Sequence, residues 1–228
     1  MHNRIILLET STTLCSVALA EDGRIVAERR SDTARSQASL TAPFVKEILD
    51  ESGIKVSDCD AVCVTSGPGS YTGLRVGVST AKGLCFGAGI PLLSVTTLET
   101  LYFQALPFLP EGCKTVIPML DARRDEVYTC IYSADSQMLT PVSPVILSPD
   151  SFAAEFAAGP VVVIGDAAEK CRNITGADAL YIQAYPEAKA MLRPAMRELE
   201  HKNFADLAYF EPFYLKDFIA TVSKKKLF

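Results

Sequence analysis

The chain has 228 residues, 49% of them hydrophobic and 21% charged, a formal net charge of −5 and no tryptophan, the balance of a globular protein rather than a disordered, fibrous or membrane-spanning one. The acidic balance argues against a protein whose main task is gripping nucleic acid, because phosphate neutralisation needs clustered Lys and Arg. One basic run stands out, Lys224-Lys225-Lys226, readable as a solvated terminal charge run or as a contact with nucleic acid or an acidic partner.

Met1 to Arg4 run straight into Ile5-Ile6-Leu7-Leu8, an apolar stretch of strand length, too short for a signal-peptide core or a spanning helix, so a cytoplasmic protein is expected. Strands are predicted at Ile5 to Leu8, Cys15 to Leu19 and Ile25 to Glu28, the last two joined by the acidic-Gly turn Glu21-Asp22-Gly23. Leu40, Phe44, Val45, Ile48 and Leu49 recur at helical spacing and predict a helix over Gln37 to Glu51, with Pro43 inside it and Gly53 ending it. Ala61 to Val64 reads as a buried strand. It is followed by the Gly-rich loop Gly67-Pro68-Gly69-Ser70-Tyr71-Thr72-Gly73, a helix over Thr72 to Phe86 and a strand at Leu92 to Val95. A helix over Thr97 to Leu106 leads to a Pro-rich break and to strands at Thr115 to Met119, Glu126 to Tyr132, Val142 to Leu147 and Val161 to Ile164. Short helical segments are predicted at Asp150 to Phe156 and, interrupted by Pro194, at Glu187 to His201. The alternation implies an α/β fold with mixed sheets.

Catalytic signatures are sparse. The only histidines are His2 and His201, so no paired-histidine metal motif can be written. Cys59 and Cys63 have no second pair of close ligands, and the seven cysteines read as core thiols. Ser70 misses the nucleophile-elbow frame because Pro68 stands two before it. The Gly-rich loop follows a strand and opens a helix, where backbone N–H groups favour an anion, yet its spacing fits neither a dinucleotide fingerprint nor a P-loop. Two readings stay open: a tight turn with close helix packing, or a phosphate contact. In the helix that follows, Gly73, Gly77 and Ala81 fall four apart and make a smooth ridge, suited to packing within the domain or to a second subunit.

The segments Ile6-Leu7-Leu8-Glu9-Thr10-Ser11-Thr12, Ser66 to Gly77 (SGPGSYTGLRVG), Asp121 to Tyr128 (DARRDEVY) and Pro212-Phe213-Tyr214-Leu215 resemble, in order and spacing, the TsaB (YeaZ-like) family of tRNA threonylcarbamoyladenosine synthesis. The resemblance implies a duplicated fold of the actin, Hsp70 and sugar-kinase type with a reduced second half, divided as residues 1–101 and 102–228. It implies a non-catalytic scaffold that pairs with the catalytic paralogue TsaD, recruits TsaE, forms a homodimer in isolation and meets tRNA indirectly. The partner surface is then expected on the helices about Ser39 to Glu51 and Thr72 to Phe86, with Gly73, Gly77 and Ala81 as its ridge. The loop nearest any nucleotide is expected at Thr10, Ser11, Gly67 and Gly69. No tightly bound cofactor and no metal are implied, and ATP or ADP contact is expected only at the interface with the partner. In the region where TsaD carries its two metal-binding histidines, this chain has Thr97 and Leu101; Leu101 offers no lone pair. The alternatives are an active phosphotransferase of the same fold, with Asp121 holding the metal, and a glycoprotease-like peptidase.

Overall fold

A computed structural model describes residues 3–33 and 35–215; the Lys224 to Lys226 run lies outside them, as does His2. Strands β1 (Arg4–Glu9), β2 (Cys15–Glu21), β3 (Arg24–Ser31), β4 (Ala61–Thr65) and β5 (Leu92–Val95) form a five-stranded sheet in the order β3-β2-β1-β4-β5. The first three are antiparallel neighbours, whereas β4 runs parallel to β1 and β5 parallel to β4. At the β2–β3 hairpin both Asp22 and Gly23 have positive φ, 51° and 75°, the backbone that a two-residue turn needs to match the strand twist. Residues 5 to 9 of β1 are all buried, because both faces of that central strand are covered.

The second sheet contains β6 (Thr115–Asp121), β7 (Glu126–Thr129), β8 (Tyr132–Ser133), β9 (Ser143–Ile146), β10 (Val161–Gly165) and β11 (Leu180–Gln183), in the order β11-β10-β6-β7-β9. β6, β7 and β9 are antiparallel neighbours, while β10 is parallel to β6 and β11 to β10. Read from its antiparallel edge, this sheet repeats the order and the directions of the first. The duplication that no residue-level repeat betrays is therefore present in the topology, as the resemblance to a duplicated fold implies.

Six α-helices are described: α1 (Gln37–Ser52), α2 (Tyr71–Ala88), α3 (Thr97–Ala105), α4 (Ala153–Ala158), α5 (Ala168–Thr175) and α6 (Leu192–Glu200). On the outer face of the first sheet, Val45, Ile48 and Leu49 of α1 and Val78, Ala81 and Cys85 of α2 pack on Ile6, Leu8, Val17 and Leu19. The corresponding cover of the second sheet is thinner, α4 and α5 having 6 and 8 residues where α1 and α2 have 16 and 18.

Each half sends its last helix across to the other. α3 follows β5 of the first sheet, yet its Leu98, Leu101, Tyr102 and Ala105 pack on Val116, Leu120, Val162 and Ile164 of the second. Ala188, Met191 and Ala195, in and before α6, follow β11 of the second sheet yet pack on Ile5, Leu7, Ala18 and Cys63 of the first. Arg197 of α6 ties the crossing together by pairing with Glu99 of α3 at 2.8 Å and with its own neighbour Glu198.

Three departures from the sequence reading have physical causes. The predicted strand Glu126 to Tyr132 is split into β7 and β8, since the register places its middle opposite Pro118 of β6, which has no N–H to offer the ladder. Ile131 N–H turns instead to Thr140 Oγ1, 2.8 Å away. Helix α5 and strand β11 escape the pattern because α5 buries only Ala168 and Cys171 and β11 is a four-residue edge strand with half-exposed side chains. Pro194 lies in the first turn of α6, where the N–H it lacks has no helical partner anyway.

Candidate functional site: the Gly-rich loop and its polar floor

The Gly-rich loop links β4 to α2 and rests directly on the turn after β1. Ser70 caps α2, its Oγ accepting from Gly73 N–H at 3.3 Å, and its own N–H donates to the Ser11 carbonyl at 2.6 Å. Thr10 Oγ1 donates to the Gly73 carbonyl at 2.8 Å. A Cβ at Gly69 would lie 2.3 Å from the Ser11 carbonyl oxygen, one at Gly73 2.1 Å from that of Thr10, and one at Gly77 2.2 Å from Thr10 Oγ1. At Gly69 and Gly73 a side chain would displace backbone, and at Gly77 it would displace the Thr10 side chain. The ridge Gly73, Gly77 and Ala81 thus faces the chain's own first sheet, with Ala81 fully buried, and the expectation that it meets a partner is corrected. Smoothness at helical spacing told of close approach but not of what approaches.

Of the residues expected near a nucleotide, Gly69 lies against Ser11. Thr10 and Ser11 are fully buried, however, and the room beside Gly69 is taken by Ser11. Gly67, at φ 117°, accepts from Thr97 N–H at 3.0 Å, and a Cβ there would stand 2.7 Å from the Phe213 carbonyl oxygen. The closing segment seals that side: Phe213 N–H donates to the Ser66 carbonyl at 2.7 Å, and Lys82 Nζ donates to the carbonyls of Ala208 and Phe210. Arg75 lies 4.2 Å over the Tyr71 ring and donates to Tyr214 Oη at 3.1 Å. Of the two readings of the loop, close packing accounts for every glycine in it.

Beneath the loop lies a polar floor. Glu9, at the end of β1, is 0% exposed, and its Oε1 accepts from Ser11 N–H at 2.6 Å. Burial pushes its carboxyl from 4.5 up to about 7, and neighbouring Ser11 and Thr65 groups offset part of the rise. The Ser11 and Thr65 side chains solvate this carboxylate, whereas the buried Thr97 hydroxyl has no hydrogen-bond partner among the described residues. Thr97 and Leu101 are both fully buried, and Leu101 belongs to the core of the second sheet. Among the described residues no group of three or more His, Cys, Asp or Glu could hold a metal ion. All seven cysteines are free thiols; burial raises Cys59 and Cys85 to about 11, which leaves them protonated and unreactive at neutral pH.

The end of β6 is the second half's counterpart of the end of β1. There Asp121 accepts from Lys170 Nζ at 2.7 Å and from Arg123 N–H at 2.6 Å. Asp166, raised to about 6 chiefly by burial, accepts from Asp121 N–H at 2.8 Å. The sequence singled out Asp121 alone; Asp166 and Lys170 join it only because β10 and α5 fold beside β6.

The outward face of α2 is a different surface. Thr72, Arg75, Ser79, Gly83, Phe86 and Gly87 are exposed, Phe86 at 83%, and a Cβ at Gly83 or Gly87 would meet nothing within 4 Å. No described helix is long and apolar enough to cross a membrane.

The family model for TsaD, tRNA N6-adenosine threonylcarbamoyltransferase, matches residues 31–150. The tRNA threonylcarbamoyladenosine biosynthesis protein TsaB of Haemophilus influenzae is 31% identical over 100% of this chain and 98% of its own length. The chain belongs to the TsaB family. The namesake from Escherichia coli is 38% identical, over 58% of this chain; the match spans little more than half of that relative, 56%. YeaZ from Pseudomonas aeruginosa superposes with a TM-score of 0.81 at 28% identity, covering 93% of this chain and 100% of that one. The motifs from which the TsaB resemblance was read therefore point to the family that the whole-chain match shows.

Proposed function

We propose that this chain is the non-catalytic subunit of a cytoplasmic assembly that threonylcarbamoylates the adenosine 3′ of a tRNA anticodon, pairing with a TsaD-type transferase and supporting recruitment of TsaE. The observation that carries the reading is the filled site. Where the catalytic paralogue's metal ligands would stand, Thr97 and Leu101 are buried in the chain's own packing, and the loop glycines are occupied by Thr10 and Ser11. A scaffold then needs an outward surface. Exposed Ser79, Gly83 and Gly87, with Phe86 beside them, let a second helix approach closely around one large apolar side chain. Exposed Ala38 and Ala42 of α1 extend small-residue character onto the other helix covering that side of the sheet. In this reading the same surface forms a homodimer when the partner is missing, tRNA is met through the assembly, and any ATP or ADP contact requires the partner.

The test is threonylcarbamoylation of tRNA by TsaC, TsaD and TsaE from the same organism, with and without this chain, alongside gel filtration with TsaD. Dependence of both activity and co-elution on the chain is the expected result. Full activity without it, or magnesium-dependent ATP turnover by the chain alone that is lost in Asp121→Ala, would overturn the reading.

A further inference from the structure

The hairpin between β6 and β7 turns on two arginines in a backbone conformation that arginine rarely adopts. Arg123 and Arg124 have φ of 72° and 51°, and they are the only adjacent pair of non-glycine residues with positive φ among the described residues. In that region the Cβ crowds the backbone, a clash that glycine escapes and that asparagine and aspartate tolerate best. The β2–β3 hairpin shows the relaxed solution, Asp22 followed by Gly23. The β6–β7 turn does not use it, although it is just as tightly closed: Glu126 N–H donates to the Arg123 carbonyl at 3.2 Å and Ala122 N–H to the Glu126 carbonyl at 3.1 Å.

The polar groups at the end of β6 hold this turn in place. Asp121 Oδ1 accepts from Arg123 N–H at 2.6 Å and from Lys170 Nζ at 2.7 Å, and Asp166 Oδ1 accepts from Asp121 N–H at 2.8 Å. Lys170 also donates to the Glu126 carbonyl at 3.2 Å, so both limbs of the turn are fastened to α5. That bonding fixes the backbone of the arginines and leaves their side chains out. Both residues are exposed, and neither guanidinium has a hydrogen-bond or ion-pair partner among the described residues. A strained turn that is braced from below, yet lends no side chain to the fold, points to a task for those side chains outside it.

We propose that Arg123 and Arg124 contact phosphates of the tRNA backbone in the threonylcarbamoylating assembly, an inference that rests on the role proposed for this chain. Arginine presents a planar donor fork that matches phosphate oxygens, and tRNA is the polyanion that this role brings to the assembly. Asp125 follows the pair and is exposed, so the tip is no broad basic surface and its contact is confined to one or two phosphates. Such a small contact agrees with a chain of net charge −5, which has no extensive grip on nucleic acid to offer. The turn belongs to the second half and the outward face of α2 to the first, so the two contacts draw on different elements.

The experiment is fluorescence anisotropy of an unmodified tRNA transcript with the assembly of this chain, TsaD and TsaE, over a range of salt concentrations. Arg123→Gln with Arg124→Gln should weaken binding about 10-fold and flatten the slope of log Kd against log salt by about 1–2, with TsaD co-elution unchanged. Arg123→Asn with Arg124→Gly, which relieves the backbone, should lose the same affinity while raising Tm of the isolated chain by about 2–4 °C. A gain in stability joined to a loss of binding marks strain kept for function rather than strain the fold merely tolerates. Unchanged affinity and slope in the glutamine pair, or a lower Tm in the relieved pair, would overturn the proposal. So would a loss of TsaD or TsaE co-elution in place of tRNA affinity, which would make an acidic protein surface the contact. Binding of tRNA that is the same when the chain is left out would overturn the underlying role, and the proposal with it.

Discussion

Glu9 joins sequence to chemistry at the scale of one residue. Its folded carboxyl titrates at about 7 against an ordinary 4.5, so the folded chain holds a proton that the unfolded chain has released between those values. Stability therefore falls as pH rises from 4.5 to 7, by roughly 3 kcal/mol at its limit. Urea unfolding should show wild type losing about this much between pH 4.5 and 8 relative to Glu9→Gln; parallel pH profiles would refute it. The sequence shows Glu9 at the end of an apolar strand, which makes its burial legible. It does not show that Thr65 and Thr97 stand beside it, because those neighbours lie 56 and 88 positions away and meet it only through the parallel pairing of β1, β4 and β5.

Helix α2 has two smooth sides, and they have opposite tasks. Gly77→Leu forces a side chain onto Thr10 and Val64, and we expect a loss of about 1–3 kcal/mol or more in chemical denaturation. Gly83→Leu points into open space; the isolated chain should gain about 0.5–1 kcal/mol from helix propensity while its co-elution with a TsaD-type partner is lost. Retained co-elution in a folded Gly83→Leu chain would remove the outward face from the interface. The helix over Thr72 to Phe86 was legible from spacing, whereas its Ser70 cap was not. Which glycine row faces inward was not, because glycine has no side chain to reveal a preference for core or water. The decision lies with the turn at Thr10 and Ser11, some sixty residues earlier in the chain.

Across the whole molecule, the exchange of α3 and α6 makes each sheet's inner face depend on the other half. Leu101→Ala and Met191→Ala each remove a fully buried side chain from one crossing, and each should cost about 2–5 kcal/mol. Because the crossings interlock, both variants should unfold in one transition seen alike by far-ultraviolet circular dichroism and by tyrosine fluorescence, the chain having no tryptophan. Two separated transitions would show that the halves fold independently. The antiparallel β2–β3 hairpin was announced by its turn Glu21-Asp22-Gly23, but strand order, the parallel pairings and this exchange were illegible in the sequence, since each depends on contacts between segments whose local patterns look alike. The resemblance supplied the duplicated fold, and the reduction of the second half is visible in the length of its outer helices.

The same exchange bears on how the chain leaves the ribosome. Every strand of the first sheet has been made once residue 95 is added, yet Ala188, Met191 and Ala195, which close its inner face, come some ninety residues later. Throughout that interval Ile5, Leu7, Ala18 and Cys63 lack the side chains that cover them in the finished fold. Translation speed between β5 and α6 thus sets how long the unfinished molecule is exposed to aggregation.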